Sequence, residues 1–313
     1  MEQPKVESPA GAVSTQQAAL LFPDYASLRS GIAQTLYHEQ RVVQEYFEEA
    51  GHITGSNIPR LLYQASESEL RSLPEAYSIL FLVQAATQAY LSSTGITFTA
   101  VGGLGLGAYA ALHAARAYTF ADGLYIMSKL ALVYQELLEA NNFKKISVSP
   151  IGLAAVQGAL AKLDSQQIAL SEKVTHDTFV ISGRRSVVEK LEEEHASMPG
   201  IQIDELPLEG GLHAQLDAFD ETAFKRYLEK VEFQDTHVTC YSPHQVHDLV
   251  YAQDVKEFAA TNQFLLQDRP QLIERYAQAE LLVAPFADDG LLKQLRTRYP
   301  ETKIVTFNQG EEL

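Results

Sequence analysis

The stretch Ala100-Val-Gly-Gly-Leu-Gly-Leu-Gly-Ala-Tyr-Ala-Ala-Leu112 has the pattern of a strand that turns sharply into a helix. Such a turn, written G-x-S-x-G, presents its central serine as a nucleophile, and small flanking residues let the strand and the helix pack closely around it. Here the central position is Gly105. The sequence therefore predicts a nucleophile elbow that lacks the side chain expected to react.

This turn resembles the elbow of the malonyl-CoA:acyl-carrier-protein transacylase family, which reads roughly G-H-S-L-G-E-Y-A-A-L. The matching residues here are Gly103-Leu-Gly-Leu-Gly-Ala-Tyr-Ala-Ala-Leu112. On this alignment Leu104 replaces the family's histidine, Gly105 its nucleophile and Ala108 its glutamate. Leu106 completes the set of site positions on the elbow. The resemblance implies that the reactive group has been lost from this turn.

The resemblance extends to two segments that precede the elbow in the chain. Ala18-Ala-Leu-Leu-Phe-Pro23 is similar to the family's first strand, which leads into F-P-G-Q-G-S-Q, whereas this chain continues Asp24-Tyr25-Ala26. The resemblance therefore places Tyr25 where the backbone amide of a glutamine helps to form the oxyanion hole. Tyr77-Ser-Ile-Leu-Phe81 is similar to the family's Q-P-A-L-F and places Tyr77 at its glutamine.

Two further family elements follow the elbow. Residues 120–136 are similar to F-x-D-A-x-x-L-V-x-x-R-G-x-x-M-Q, whose arginine would hold a malonyl carboxylate and falls at Leu130. Lys129 is adjacent, but a step of one residue turns a helical side chain by about 100°. Glu209-Gly-Gly-Leu-His-Ala-Gln-Leu216 is similar to the family's histidine motif and places His213 at the catalytic position.

These substitutions bear directly on catalysis. Acyl transfer from a thioester needs a nucleophile, a base within hydrogen-bonding reach, and donors aimed at the developing oxyanion. Gly105 offers no atom to acylate. We therefore expect a catalytically inactive homologue, or pseudoenzyme, that binds an acyl carrier protein, an acyl thioester or a partner enzyme of fatty-acid or polyketide synthesis. Two alternatives stay open: a weak acyl-thioester transferase or hydrolase that uses His213 as a vestigial site residue, and a structural subunit.

Two short patterns suggest a nucleotide or a metal, and neither is complete. The glycines at 102–107 do not meet the G-x-G-x-x-G spacing of a dinucleotide loop, and no acidic strand end follows about twenty residues later. His244, His247 and Asp248 suggest a metal site, but no cysteine or further histidine pattern completes a tetrahedral set. The sequence therefore predicts neither a cofactor nor a bound metal.

Composition limits the partners and the location. The chain has 24 basic and 40 acidic residues, and its net charge of −16 argues against binding to nucleic acid or to anionic membranes. An acyl carrier protein is itself acidic and needs a basic docking patch. Arg184, Arg185 and Lys190 form the best local cluster, with a solvated helix start as the alternative. The single cysteine, Cys240, favours a reducing cytoplasm, and no apolar run reaches the roughly 18 residues needed to cross a bilayer.

Periodicity and resemblance together predict an α/β fold: a large malonyl-transacylase-like, α/β-hydrolase-like domain with an inserted ferredoxin-like βαββαβ subdomain. The predicted boundaries are a disordered leader over 1–15, the large domain over 16–142 and 208–313, and the subdomain over 143–207. In the large domain the pattern predicts a strand over 97–101 and helices over 29–49, 77–93, 108–117, 120–140 and 214–231. The resemblance places the active site in the cleft between the two domains.

Overall fold

The computed structural model describes residues 16–72, 74–195, 200–216, 221–244 and 247–307, so the predicted leader lies outside the described residues. The strands are β1 (Gln16–Phe22), β2 (Ile96–Gly103), β3 (Phe143–Ser149), β4 (Ile168–Lys173), β5 (Phe179–Arg184), β6 (Gln202–Leu206), β7 (Thr239–Tyr241), β8 (Asp248–Leu249), β9 (Gln267–Asp268), β10 (Leu281–Val283) and β11 (Lys303–Val305). The helices are α1 (Gln34–Glu39), α2 (Arg41–Thr54), α3 (Ile58–Gln64), α4 (Glu67–Ser72), α5 (Ala76–Ser93), α6 (Gly107–Ala114), α7 (Phe120–Ala140), α8 (Leu153–Leu160), α9 (Arg185–His195), α10 (Glu221–Leu228), α11 (Ala252–Thr261), α12 (Arg269–Glu274) and α13 (Asp289–Arg298).

The larger sheet brings two loops together at one edge. Its strand order is β11-β10-β1-β2-β7-β8, and each pair of neighbours is parallel except β7 and β8. The pairing of β1 with β2 ends with Phe22 opposite Gly103. Because parallel strands end at the same edge of a sheet, the residues that follow Phe22 and those that follow Gly103 lie side by side. In open α/β sheets this carboxyl edge is where ligands bind.

Apolar helices pack around this sheet. Every residue of α5 from Ala76 to Thr87 is buried, as expected for a helix that is apolar on all sides. The side chain of Thr119 accepts a hydrogen bond from the N–H of Asp122 and so caps α7, which has the bounds that the pattern predicts. Among the described residues, none of the helices combines the length and the apolar character needed to cross a membrane.

The helix predicted over residues 29–49 is wrong as a single element. Gln40 separates α1 from α2 because its backbone is extended, with φ −113° and ψ 114°. Ala33, immediately before α1, has a positive φ of 58°, which keeps the preceding residues out of a regular helix. Both interruptions are backbone conformations that the apolar periodicity of this stretch does not reveal.

The helix predicted over residues 214–231 is also shorter than expected. Residues 214–216 are not helical, and α10 starts only at Glu221. The preceding His213 has a positive φ of 48°, and the loop that contains it continues through Leu216, whose side chain is buried in the core. The loop that contains His213 therefore extends over residues 214–216, where the pattern predicts the start of the helix.

The smaller sheet has the connectivity of a ferredoxin-like unit. Its strand order is β6-β3-β5-β4-β9, and the first four strands are antiparallel and connected as β3-α8-β4-β5-α9-β6. The fifth strand, β9, comes from a later part of the chain and pairs in parallel with β4, with Glu172 opposite Gln267. This pairing connects the smaller sheet to residues near the elbow. The division into domains at residues 143 and 207 stays a prediction.

Candidate functional site

The elbow is a tight turn between β2 and α6. Gly105 at its apex has a φ of +51°, in the left-handed region that favours glycine. The N–H of Leu104 donates to the carbonyl of Phe22 at 3.0 Å, which ties the turn to the end of β1. A side chain on Gly103 would overlap the backbone of Gly107, so the strand and the helix approach as closely as the motif requires. The turn has the backbone geometry expected of a nucleophile elbow.

The carboxylate of Asp24 fills the space beside the apex of this turn. Its Oδ1 accepts hydrogen bonds from the backbone N–H of Tyr25 at 2.6 Å and from that of Leu106 at 2.9 Å. A Cβ atom placed on Gly105 would overlap Oδ1 and Cγ of the same carboxylate. A side chain at position 105 and the carboxylate of Asp24 in its present position therefore exclude each other.

The surroundings of Asp24 disfavour its charge. Burial raises the pKa of this carboxyl from 3.8 to about 6. The hydrogen bonds from Tyr25 and Leu106 and the positive charge of Lys145 lower the pKa, and the negative charge of Glu172 raises it, but burial dominates. At pH 7 most molecules still carry the ionised carboxylate, which accepts both hydrogen bonds.

His213 lies in the loop before α10 and is almost completely buried. Only 1% of its surface is exposed, and its backbone N–H donates to the backbone carbonyl of Gln263 at 2.9 Å. The Nε2 atom of Gln267 lies 3.0 Å from Nδ1 and 2.9 Å from Nε2 of the imidazole. Burial first, and then the charges of Lys145 and His244, hold the pKa of His213 well below its ordinary value. The imidazole is therefore neutral at pH 7.

Two buried amide side chains connect this histidine to the elbow. Oε1 of Gln267 accepts a hydrogen bond from the N–H of Gly105 at 3.1 Å, while its amide nitrogen faces His213. Nδ2 of Asn262 donates to the carbonyl of Gly105 at 2.8 Å. Both backbone groups at the apex are thus held by side chains, and Gln267 bridges the apex and the imidazole.

Three tyrosines pack beside this site, and two of them hold the chain that leads to His213. The hydroxyl groups of Tyr77 and Tyr134 donate to the carbonyls of Glu209 and Leu208, at 2.5 and 2.7 Å. The ring of Tyr25 packs edge-on against that of Tyr77, with 5.5 Å between ring centres. The positions where the resemblance expects two glutamines, Tyr25 and Tyr77, therefore hold bulky side chains in contact with each other.

Replacing Tyr77 with phenylalanine is expected to lower the free energy of unfolding by about 1 kcal/mol. The change removes one hydrogen bond and leaves the carbonyl of Glu209 without that donor. Chemical denaturation measures the difference. Tyr63→Phe is the matched control, because among the described residues the Tyr63 hydroxyl is buried without a hydrogen-bond partner, so its removal should cost nothing. Equal losses in the two variants would contradict this assignment.

The remaining elbow and malonyl positions have apolar surroundings. Leu106 and Leu130 are buried in the main core, and Leu104 is buried in a second apolar cluster. The ammonium of Lys129 lies 5.6 Å from the ring centre of Tyr125 and 5.4 Å from that of Tyr227. Lys129 is therefore engaged with aromatic rings of α7 and α10 and does not take the place that the resemblance gives to an arginine.

Ion pairs join the smaller sheet to the segment around β9. Arg269 of α12 donates to one oxygen of Glu172 at 2.6 and 3.0 Å, and Lys173 pairs with Asp268 at 2.6 Å. From β3, Lys145 donates to the carbonyl of Gly211 at 2.9 Å, and burial lowers the pKa of its ammonium. These contacts hold the smaller sheet against α12 and against the loop that contains His213.

The three residues considered for a metal do not converge. Both ring nitrogens of His244 lie within hydrogen-bonding distance of an oxygen. Nδ1 lies 2.7 Å from the carbonyl oxygen of Leu266, and Nε2 lies 2.8 Å from Oδ1 of Asn262. Asp248 pairs with Arg275, and His247 is exposed. In the part of the chain that the structure describes, no three or more His, Cys, Asp or Glu side chains are grouped to hold a metal ion.

The basic cluster on the smaller sheet is partly neutralised by its neighbours. Arg185 pairs with Glu189 at 3.4 Å and with Glu205 at 3.1 Å. Arg184 donates to the side chain of Asn141 and stacks its guanidinium over Phe143, and Lys190 is exposed on α9. These contacts neutralise Arg185, and both interpretations of the cluster, a docking patch and a solvated helix start, stay predictions.

The sequence did not single out Asp24, Asn262 or Gln267, which the fold brings to the apex of the elbow. Asn262 and Gln267 lie more than 150 residues from Gly105 in the chain, and no pattern around them indicates contact. Asp24 left a signal. An acidic residue stands where the resembling motif has glycine, at the start of the loop that must approach the acyl group.

Comparison with known proteins identifies the class of fold. No family model matches the chain. An acyl carrier protein S-malonyltransferase from Vibrio cholerae superposes with a TM-score of 0.83, covering 93% of this chain and 96% of that one at 17% identity. A chain from a complex of a type II polyketide synthase acyl-carrier protein with its malonyl-transacylase gives 0.83, with 94% and 96% covered at 17% identity. The predicted α/β transacylase fold is therefore confirmed.

The sequence comparison also finds transacylases. The malonyl CoA-acyl carrier protein transacylase of Bacillus subtilis is 26% identical over 244 residues, which are 76% of this chain and 76% of that protein. In both sequence and fold, the chain is similar to the malonyl CoA-acyl carrier protein transacylases.

Proposed function

We propose that this chain is a catalytically inactive relative of the malonyl transacylases, a pseudoenzyme that acts by binding a partner in fatty-acid or polyketide synthesis. One observation carries the proposal: at the apex of the elbow Gly105 has no side chain, and the carboxylate of Asp24 fills the space where one would stand. A thioester needs an acceptor atom to form an acyl-enzyme, and glycine supplies none.

The surroundings of His213 support a binding role over residual hydrolysis. A histidine that activates water needs a free acceptor nitrogen and access for the water. Here the ring is buried, and the amide nitrogen of Gln267 lies within hydrogen-bonding distance of both ring nitrogens. The imidazole therefore serves best as part of the packed elbow.

The partner that we propose is an acyl carrier protein. A related malonyl-transacylase is described in complex with an acyl-carrier protein, which makes this class of protein the first candidate. A free acyl thioester is less well supported, because Asp24 fills the apex and Leu130 offers no cation to a malonyl carboxylate. An enzyme of fatty-acid or polyketide synthesis is the alternative partner.

We expect the unmodified protein to form no covalent acyl adduct. Incubation with malonyl-CoA or acetyl-CoA should leave its intact mass unchanged, and the malonyl CoA-acyl carrier protein transacylase of Bacillus subtilis with malonyl-CoA serves as the positive control. An added malonyl or acetyl mass mapped to a residue beside the elbow would disprove catalytic silence.

The partner is tested separately. Acyl carrier protein from the same cells, in holo and apo forms, is passed over the immobilised chain, and transfer is followed by the mass of the carrier. We expect a complex with the carrier and no malonyl group transferred to it from malonyl-CoA. Absence of a complex with either form would refute the proposed partner without bearing on catalytic silence.

A further inference from the structure

We infer that Asp24 is an internal ligand: its carboxylate occupies an oxyanion site formed by the N–H groups of Tyr25 and Leu106 and keeps it closed to an acyl carbonyl or a small carboxylate. The inference rests on the proposed function, because it states what has taken the place of the acyl group.

The arrangement of the donors points to an oxyanion site. Two backbone N–H groups from different loops, one after β1 and one after β2, converge on a single oxygen at 2.6 and 2.9 Å. Such convergence on one oxygen is how enzymes bind the oxyanion of acyl transfer. Asp24 also caps the short turn that begins at Tyr25, which accounts for the first hydrogen bond. Capping does not account for the second, which spans 82 residues to Leu106.

The negative charge of Asp24 is stabilised mainly by the N–H groups of Tyr25 and Leu106. Lys145 acts on the carboxylate through its charge, but its ammonium donates to the carbonyl of Gly211. A buried carboxylate stabilised by two N–H groups reproduces the interactions that a bound oxyanion would make. The same oxygen overlaps the Cβ position of residue 105, so one side chain blocks both the nucleophile position and the oxyanion site.

Removing Asp24 should therefore reopen the site for chemistry. In the double variant Asp24→Gly with Gly105→Ser, the new hydroxyl oxygen attacks the thioester carbonyl of acetyl-CoA while the N–H groups of Tyr25 and Leu106 stabilise the oxyanion. The carbon–sulfur bond then breaks. The hydroxyl proton passes through water to the departing thiolate of coenzyme A, leaving an acetyl ester on the protein.

Acylation by acetyl-CoA, followed by intact mass, compares this double variant with two controls. The controls are Gly105→Ser alone and Asp24→Asn with Gly105→Ser, in which the side chain of residue 24 is shifted by the new Cβ atom but should still lie beside the two N–H groups and obstruct an incoming carbonyl. We expect the Asp24→Gly double variant to acylate at least tenfold faster than either control. Equal rates in all three variants would overturn the inference.

A second measurement does not depend on the new hydroxyl or on His213. In ¹⁵N-labelled protein, sodium acetate should shift the N–H resonances of Tyr25 and Leu106 in the single variant Asp24→Gly and leave them unchanged in the parent protein. No shift in the variant, or an equal shift in the parent, would show that Asp24 does not close an oxyanion site. Both measurements rest on variants of Asp24. The proposed function is tested separately, by incubating the unmodified protein with the thioesters, so the two can fail independently.

Discussion

Replacing Gly105 with serine is expected to lower the free energy of unfolding by about 3 kcal/mol. Two costs add. A serine at φ +51° adopts a left-handed backbone that a side chain disfavours by about 1 kcal/mol. The new Cβ also overlaps the carboxylate of Asp24, which must leave the N–H groups of Tyr25 and Leu106. Losing charge-assisted hydrogen bonds at a buried site costs about 2 kcal/mol or more.

Gly55 provides the matched control for this prediction. It ends α2 with a φ of +71°, and a Cβ atom placed on it meets no atom within 4 Å. Gly55→Ser therefore includes only the backbone cost and should lose about 1 kcal/mol. Denaturant midpoints of the two variants, measured at the same pH, separate the overlap from the strain. Equal losses would mean that Asp24 moves aside without cost.

A double-mutant cycle measures the conflict between the two side chains directly. Because Asp24→Gly removes the overlapping carboxylate, Gly105→Ser should cost about 1 kcal/mol in that background instead of about 3 kcal/mol. Strict additivity of the two changes would show that the carboxylate and the introduced side chain do not compete for one space.

The sequence predicted the fold best where apolar periodicity or glycine spacing determines the structure of a short segment. The strand, turn and helix around Gly105 follow from close packing that only small residues permit, and α7 has its predicted bounds. The errors at Gln40 and before α10 have another origin. There single residues adopt an extended or left-handed backbone, and a periodicity of apolar residues carries no information about such local conformations.

The candidate site was less predictable than the fold. The resemblance placed His213 and Gly105 at matching positions, and the fold brings both beside Gln267. What the side chains at the site do depends on contacts between distant segments. Asp24 could be recognised as a replaced glycine, but that its oxygen would reach Leu106 depends on the parallel pairing of β1 with β2. Replacement of a motif residue therefore indicated an altered site, and only the geometry showed which side chain lies there.

The second large effect concerns the charge of Asp24. Burial raises the pKa of this carboxyl in the folded protein to about 6 from the ordinary 3.8, so folding favours its protonated form. The ionised carboxylate therefore destabilises the folded state above pH 6. This penalty is relieved as the pH falls from about 6 to about 3.8, and it is absent below that range. A difference of this size corresponds to about 3 kcal/mol.

Asp24→Asn should consequently raise the free energy of unfolding by about 2 to 3 kcal/mol at pH 8 and by little at pH 4. The amide oxygen can still accept the hydrogen bonds from Tyr25 and Leu106, while the buried charge is removed. Denaturation of parent and variant from pH 4 to pH 8 should give curves that separate between about pH 4 and pH 6 and then run parallel. Asp204→Asn, at an exposed carboxylate, controls for the loss of one charge from an acidic protein. A variant less stable than the parent at pH 8 would mean that the two N–H groups require the full charge of the carboxylate, and the cost assigned here to its burial would be wrong.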